Sequence, residues 1–124
     1  MSAFTRYLGV FDFRPHGVAF STFAGLPWLA WLREQLGGHV HWWPYDGWEA
    51  PAGKPVVVEA YPSLHRRRLD APGGLTDHQR DAWLIAAWLQ DRDRHDLLSR
   101  YFEPPLSPDE RVQAEVEGWI LGVM

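Results

Sequence analysis

The chain has 124 residues, 46% hydrophobic and 23% charged, with a formal net charge of −4. That suits one globular domain over residues 1–124 with a core of its own, and it excludes a disordered or collagen-like chain. The absence of cysteine excludes disulfides, thiolate metal sites and cysteine nucleophiles, and fits a cytoplasmic location.

No apolar run approaches the roughly 20 residues that span a bilayer, so no membrane partner is expected. The opening MSAFTRYLGVFDF makes a poor signal peptide. The negative charge argues against non-specific affinity for nucleic acid, which rests on phosphate neutralisation. It leaves room for an enzyme that cuts nucleic acid, because acidic metal sites lower the net charge too.

YLGVFDF at 7–13 reads as a strand, RPHG as a turn and VAFSTF at 18–23 as a second strand, together a hairpin. Gly25-Leu26-Pro27 opens a helix with Pro27 in its first turn; Leu29, Trp31, Leu32 and Leu36 form its apolar stripe. Gly37-Gly38 ends it. HVHWW at 39–43 is a short strand, and 44–55 is a Pro- and Gly-rich loop in which Asp46 reads as a turn residue.

Val56–Ala60 is a strand whose continuous apolar character predicts burial on both faces, as in a parallel sheet. Pro62 to Gly74 is connection, with a short helix at 63–69. Thr76 and Gln79 form a capping box for a helix to about Gln90. A charged extension at 91–96 and a short helix at 95–101 follow, then the Pro104-Pro105 break. Ser107 caps the last helix, Pro108 takes its first position, and Val112, Val116, Trp119 and Ile120 are its apolar residues. The pattern is α/β: a small mixed sheet flanked by helices. Eight tryptophans are expected mostly in the core or at a subunit contact.

The chemistry concentrates between Val56 and Asp81. Glu59 is a lone carboxylate at the end of an apolar strand, where an ionised group needs a partner or a metal. Asp77 and Asp81 stand four apart on one face of the following helix. A strand-end acid facing a helical acid pair is one way to hold Mg²⁺ or Mn²⁺. Such ions activate water for phosphodiester cleavage. Asp77 and Asp81 equally suit a helix N-terminus with no site at all. His78 reads as a surface residue, or else as a ligand or proton shuttle. Asp12 in FDF suits a half-exposed strand and is a further carboxylate candidate. His65-Arg66-Arg67-Arg68 reads as a solvated turn; as a phosphate contact, Arg66 and Arg67 would face substrate. The sequence carries no P-loop, no GxGxxG, no HExxH and no GxSxG.

VVVEAYPSLHRR, TDHQRDAWLIAAWL and YFEPPLSPDERVQAEVEGWILGV together resemble the C-terminal part of the DUF429 family, described as predicted nucleases of RNase H-like fold. AGLPWLAWLREQ and HVHWWPYDG are similar to the segment before the family's strand. The resemblance covers roughly residues 18–124 and is strongest from Val56 onward. By position it places the family's strand glutamate at Glu59 and its helical aspartate at Asp81, with His78 in the same motif. It implies divalent-metal-dependent phosphodiester chemistry. The RNase H-like opening, a strand carrying an essential aspartate and two further strands, has no full counterpart here; Asp12 is the stand-in. The chain therefore reads as a truncated or split version lacking the N-terminal strands. A missing sheet edge predicts a homodimer or a partner chain. The alternative is a non-catalytic α/β interaction module or half-domain.

Overall fold

The computed structural model describes residues 18–124 of the chain. Among them run helix α1 (Val18–Leu36), strand β1 (His41–Trp42), strand β2 (Val56–Val57), helix α2 (Asp77–Arg94) and helix α3 (Pro108–Glu117). Short 3-10 turns lie at Gly37–His39, Pro62–Leu64 and Leu98–Phe102. This is a small mixed α/β domain with three helices and a two-stranded parallel sheet. The expected strand at 7–13, its turn at 14–17 and Asp12 lie outside the described residues.

Capping chemistry fixes where α2 and α3 begin. The Thr76 hydroxyl accepts from the Gln79 N–H, and the Gln79 side chain accepts from the Thr76 N–H at 3.0 Å. Ser107 and Glu110 repeat the arrangement, with Pro108 in the first turn. Each box satisfies two amides that the helix leaves unpaired. Asp109 and Glu110 complement the positive end of α3.

α1 differs from expectation. Residues 18–23 belong to the helix and are not a strand, so Pro27 lies in its interior. A six-residue apolar run suits either period, and here it continues the helix that follows. Pro27 deletes one interior amide donor, a cost of about 3 kcal/mol in an isolated helix. Gly37 takes a positive φ of 50° and stops α1, as the Gly37-Gly38 pair predicts.

The sheet is short and parallel. His41 pairs with Val56 and Trp42 with Val57. The His41 N–H donates to the Pro55 carbonyl at 2.9 Å and the Trp43 N–H to the Val57 carbonyl at 3.0 Å. On the other side the Leu121 N–H donates to the Glu59 carbonyl at 2.9 Å, in a parallel bridge between Glu59 and Ile120. The segment 55–59 is therefore flanked by two short stretches of chain. Val56, Val57 and Val58 are half-buried, not covered on both faces as expected.

Other boundaries move too: β1 shortens from the expected 39–43 to His41–Trp42, and β2 from Val56–Ala60 to Val56–Val57. α2 continues to Arg94, and α3 ends at Glu117, so Trp119 and Ile120 leave the helix. α3 buries Ala114, while Val112 and Val116 face solvent. Pro62–Leu64 and Leu98–Phe102 are 3-10 turns where short helices were expected. No helix among the described residues is long and apolar enough to cross a membrane.

The core is aromatic. Trp43, Trp88 and Leu121 form its centre, with Trp48, Val56, Val58, Leu89, Tyr101 and Phe102 packed around them. Trp43 meets Trp48 and Phe102 edge-on, each with ring centroids 5.3 Å apart. Trp88 meets Tyr101 edge-on at 5.0 Å and stacks on the His65 ring at 4.3 Å. His65 was read as part of a solvated turn; it is instead a core residue, 4% exposed. Its three arginine neighbours Arg66, Arg67 and Arg68 are the exposed part of that cluster.

Burial, and then the charge of Arg68, push His65 below its ordinary value of 6.5. The unfolded chain then takes up that proton more readily than the folded one. His65 thus withdraws stability as pH falls below about 6.5, and the loss levels off below its folded value. We expect His65→Phe, which keeps a ring on Trp88, to flatten this part of the stability-against-pH curve in urea titrations at pH 5 to 8. Trp88→Ala is expected to cost about 3–5 kcal/mol in the same assay.

Candidate functional site

Glu59 stands one residue beyond the half-buried valines, held through its backbone by Leu121. Its side chain is exposed. The acid is therefore carried by the sheet but faces solvent, and the desolvation argument made from sequence does not apply to it. No basic side chain pairs with it among the described residues.

Tyr45 and Gly118 complete its surroundings. Gly118 caps α3 with φ 88° and ψ 167°, a conformation open essentially to glycine alone. A Cβ there would lie 2.3 Å from the Tyr45 hydroxyl oxygen and 3.7 Å from Glu59 Oε2. The missing side chain makes room for the phenol beside the carboxylate. Burial, followed by the negative charge of Glu59, raises the Tyr45 hydroxyl above its ordinary value of 10.0, and Arg33 opposes them. Tyr45 therefore stays protonated at neutral pH and is a hydrogen-bond donor next to an ionised acid. Sequence reasoning missed both residues. The only signal is that Tyr45 precedes the Asp46-Gly47 turn and Gly118 follows a capped helix.

Asp46 performs the turn role expected of it and one more. Its carboxylate accepts from the Trp42 N–H at 2.9 Å and from Arg33 Nη2 at 2.6 Å. The Trp42 amide, then Arg33, hold its carboxyl below the usual range. Arg33 also lies over the Trp42 ring, 5.7 Å from its centroid. His41 is buried, and its Nε2 lies 2.9 Å from the Gly47 carbonyl. That nitrogen must carry the proton, since a carbonyl only accepts. Arg33, His41, Trp42, Asp46, Pro51 and Lys54 line an open cleft of about 440 Å³. With Asp46 matched to Arg33, Lys54 leaves the cleft with one positive charge.

The helical acids lie in other company. Asp81 accepts from Arg66 Nη2 at 3.0 Å, on the α2 surface. An exposed pair of this kind contributes at most about 1 kcal/mol. It nonetheless gives Asp81 a partner without a metal. Asp77 is almost fully exposed and pairs with Arg80 at 3.5 Å along the helix. His78 and Arg67 are exposed. Among the described residues no three His, Asp or Glu side chains gather closely enough to hold a metal ion. Glu59, Asp77 and Asp81 are therefore not brought together as a ready-made triad.

Gly118→Ala should lower stability by about 1–3 kcal/mol, from backbone strain and from collision with Tyr45. Tyr45→Ala in the same chain should recover the collision part but not the strain. A double-mutant cycle by denaturant unfolding measures the difference. In comparisons with models of protein families, with curated proteins and with solved structures, the chain matches none.

Proposed function

We propose that this chain is a divalent-metal-dependent, nuclease-like hydrolase of phosphodiester bonds, with an RNase H-like core. Nucleic acid is its substrate, and Mg²⁺ or Mn²⁺ its cofactor. One observation carries the reading: Glu59 presents an exposed carboxylate without a basic partner among the described residues, beside a protonated phenol, at a point where three segments distant in sequence meet.

The donor chemistry fits. Mg²⁺ keeps several waters and binds through one or two carboxylates together with substrate phosphates, so a full protein cage is not needed. Glu59 would hold the ion, with Asp81 as second carboxylate once Arg66 transfers to a substrate phosphate. Asp77 and Asp12 are the further acids of this reading. A bound ion supplies Lewis-acid polarisation and a water of lowered pKa. Tyr45 is placed to donate a hydrogen bond to an oxygen held near Glu59. Lys54 and Arg33 in the cleft, and the exposed Arg66, Arg67 and His78, would meet the phosphate backbone as point charges.

Calorimetric titration with Mn²⁺ tests this, on the wild type, Glu59→Gln and Asp81→Asn. Saturable binding that Glu59→Gln abolishes and Asp81→Asn weakens at least tenfold is expected. A metal-dependent nuclease activity that survives the double substitution would overturn the assignment of these acids.

A second reading is a non-catalytic α/β interaction module or half-domain. It is favoured by Asp81 being matched to Arg66 and Asp77 standing in solvent. Under it the wild type takes up no Mn²⁺, and Glu59→Gln changes nothing but local charge.

A further inference from the structure

We infer that the cleft between the end of α1 and β1 is a binding site for a small organic oxyanion, a carboxylate or phosphate group on an apolar body, with Lys54 as its charge contact and Arg33 as its second donor. The inference goes beyond the hydrolase reading and does not need it, since such a ligand is held whether or not Glu59 takes a metal.

Three stretches of chain wall the cleft: the last turn of α1 with Gly37 and Gly38, strand β1, and the loop from Asp46 to Lys54. Its volume of about 440 Å³ is more than an ion alone fills. It falls within the range of about 300–1,000 Å³ that small-molecule sites occupy. Val40 and Pro51 supply apolar wall. Of the twelve lysines and arginines in the chain, Lys54 is the one lysine. It is half-buried, and no carboxylate pairs with it among the described residues. A lysine drawn partly out of water is ordinarily matched by an acid. Here the matching charge has to come from outside.

Hydrogen bonding selects the sign of the ligand. The Asp46 carboxylate spends both oxygens, Oδ1 on Arg33 and Oδ2 on the Trp42 N–H. The lining side chains keep mainly donors in reserve. Lys54 has three N–H groups, and Arg33 uses only Nη2 among the described residues, which leaves Nε and Nη1. The indole N–H of Trp42 is buried and has no acceptor among the described residues. A ligand that answers these groups brings acceptor oxygens and a negative charge. A cation would meet Lys54 and find Asp46 already taken. A neutral apolar molecule would leave the donors unmatched. A carboxylate or phosphate satisfies them, and its bonds to Lys54 and Arg33 are charge-assisted, about twice as strong as neutral ones. In a chain of net charge −4 the cleft is a local positive spot.

The single lysine makes the site directly observable. Reductive methylation with ¹³C-formaldehyde labels Lys54 and the N-terminal amine alone and keeps the positive charge. The Lys54 signal is the one missing from Lys54→Met. Phenyl phosphate and benzoate are the probes, added with EDTA present so that the result is independent of any metal at Glu59. One or both should shift the Lys54 signal saturably, and the tighter of the two names the headgroup. In calorimetry of the unlabelled chain with that probe, Lys54→Met and Arg33→Gln, each folded by circular dichroism, should weaken binding at least about tenfold. A shift that never saturates overturns the inference. So does a Lys54 signal that follows sodium chloride as closely as either probe, or binding that Lys54→Met leaves untouched.

Discussion

Burial of the aromatic cluster is the constraint on which the described structure depends. The sheet cannot carry that load, with two residues in each strand. Its interstrand hydrogen bonds contribute about 1 kcal/mol each. A buried tryptophan removes roughly 150–250 Å² from water, about 4–6 kcal/mol before entropy is counted. Trp42, Trp43 and Trp88 are all buried. Side-chain packing therefore outweighs the backbone ladder. Trp88 shows how. It projects from α2 into a slot made by His65, Tyr101 and the Gly122 turn, and so ties together three segments outside the main helices and strands.

The same packing sets the chemistry at Glu59. Leu121 reaches the core, and its backbone N–H donates to the Glu59 carbonyl. The chain then has to leave α3 at Gly118 in a left-handed conformation and pass under Tyr45. The phenol and the carboxylate are neighbours because a leucine three residues on is buried. An acid there costs little, because it points outward. It is therefore available to a ligand in a way that a buried, compensated carboxylate would not be.

Local rules were legible in the sequence, and closures between distant segments were not. The Thr76–Gln79 capping box, the Ser107 cap, the Gly37 stop and the parallel pairing of the valine strand were read from the sequence, and all are present; the reciprocal Glu110 bond that makes a second capping box was not. The start of α1 was not legible, because VAFSTF suits either period and Pro27 invited a helix beginning at Gly25. His65 beside three arginines looked solvated; only the turn that swings it over Trp88 places it in the core. Glu59 was singled out as the acid of a buried strand over Val56–Ala60; the strand ends at Val57, and Glu59 is exposed, in a single bridge to Ile120. Its neighbour Tyr45 could not be read, because the loop from Trp43 to Gly47 and the end of α3 meet only after the core has formed. Asp81 was read as a candidate metal ligand or a plain helix-terminal acid, and Arg66 pairs with it from a turn fifteen residues earlier.

α1 and the Glu59 site are linked through one residue. Arg33 sits in the last turn of α1, pairs with Asp46 and lies over Trp42. It also opposes the rise that burial and Glu59 impose on Tyr45. Anything that fixes α1 fixes Arg33, and so sets how firmly Tyr45 keeps its proton beside Glu59. If α1 turns away, Asp46 loses its closest cation but keeps the Trp42 amide, so the turn survives while the local charge becomes more negative. The position of α1 thus sets the local charge around Asp46 and Tyr45, by Coulomb forces that act over the width of one side chain.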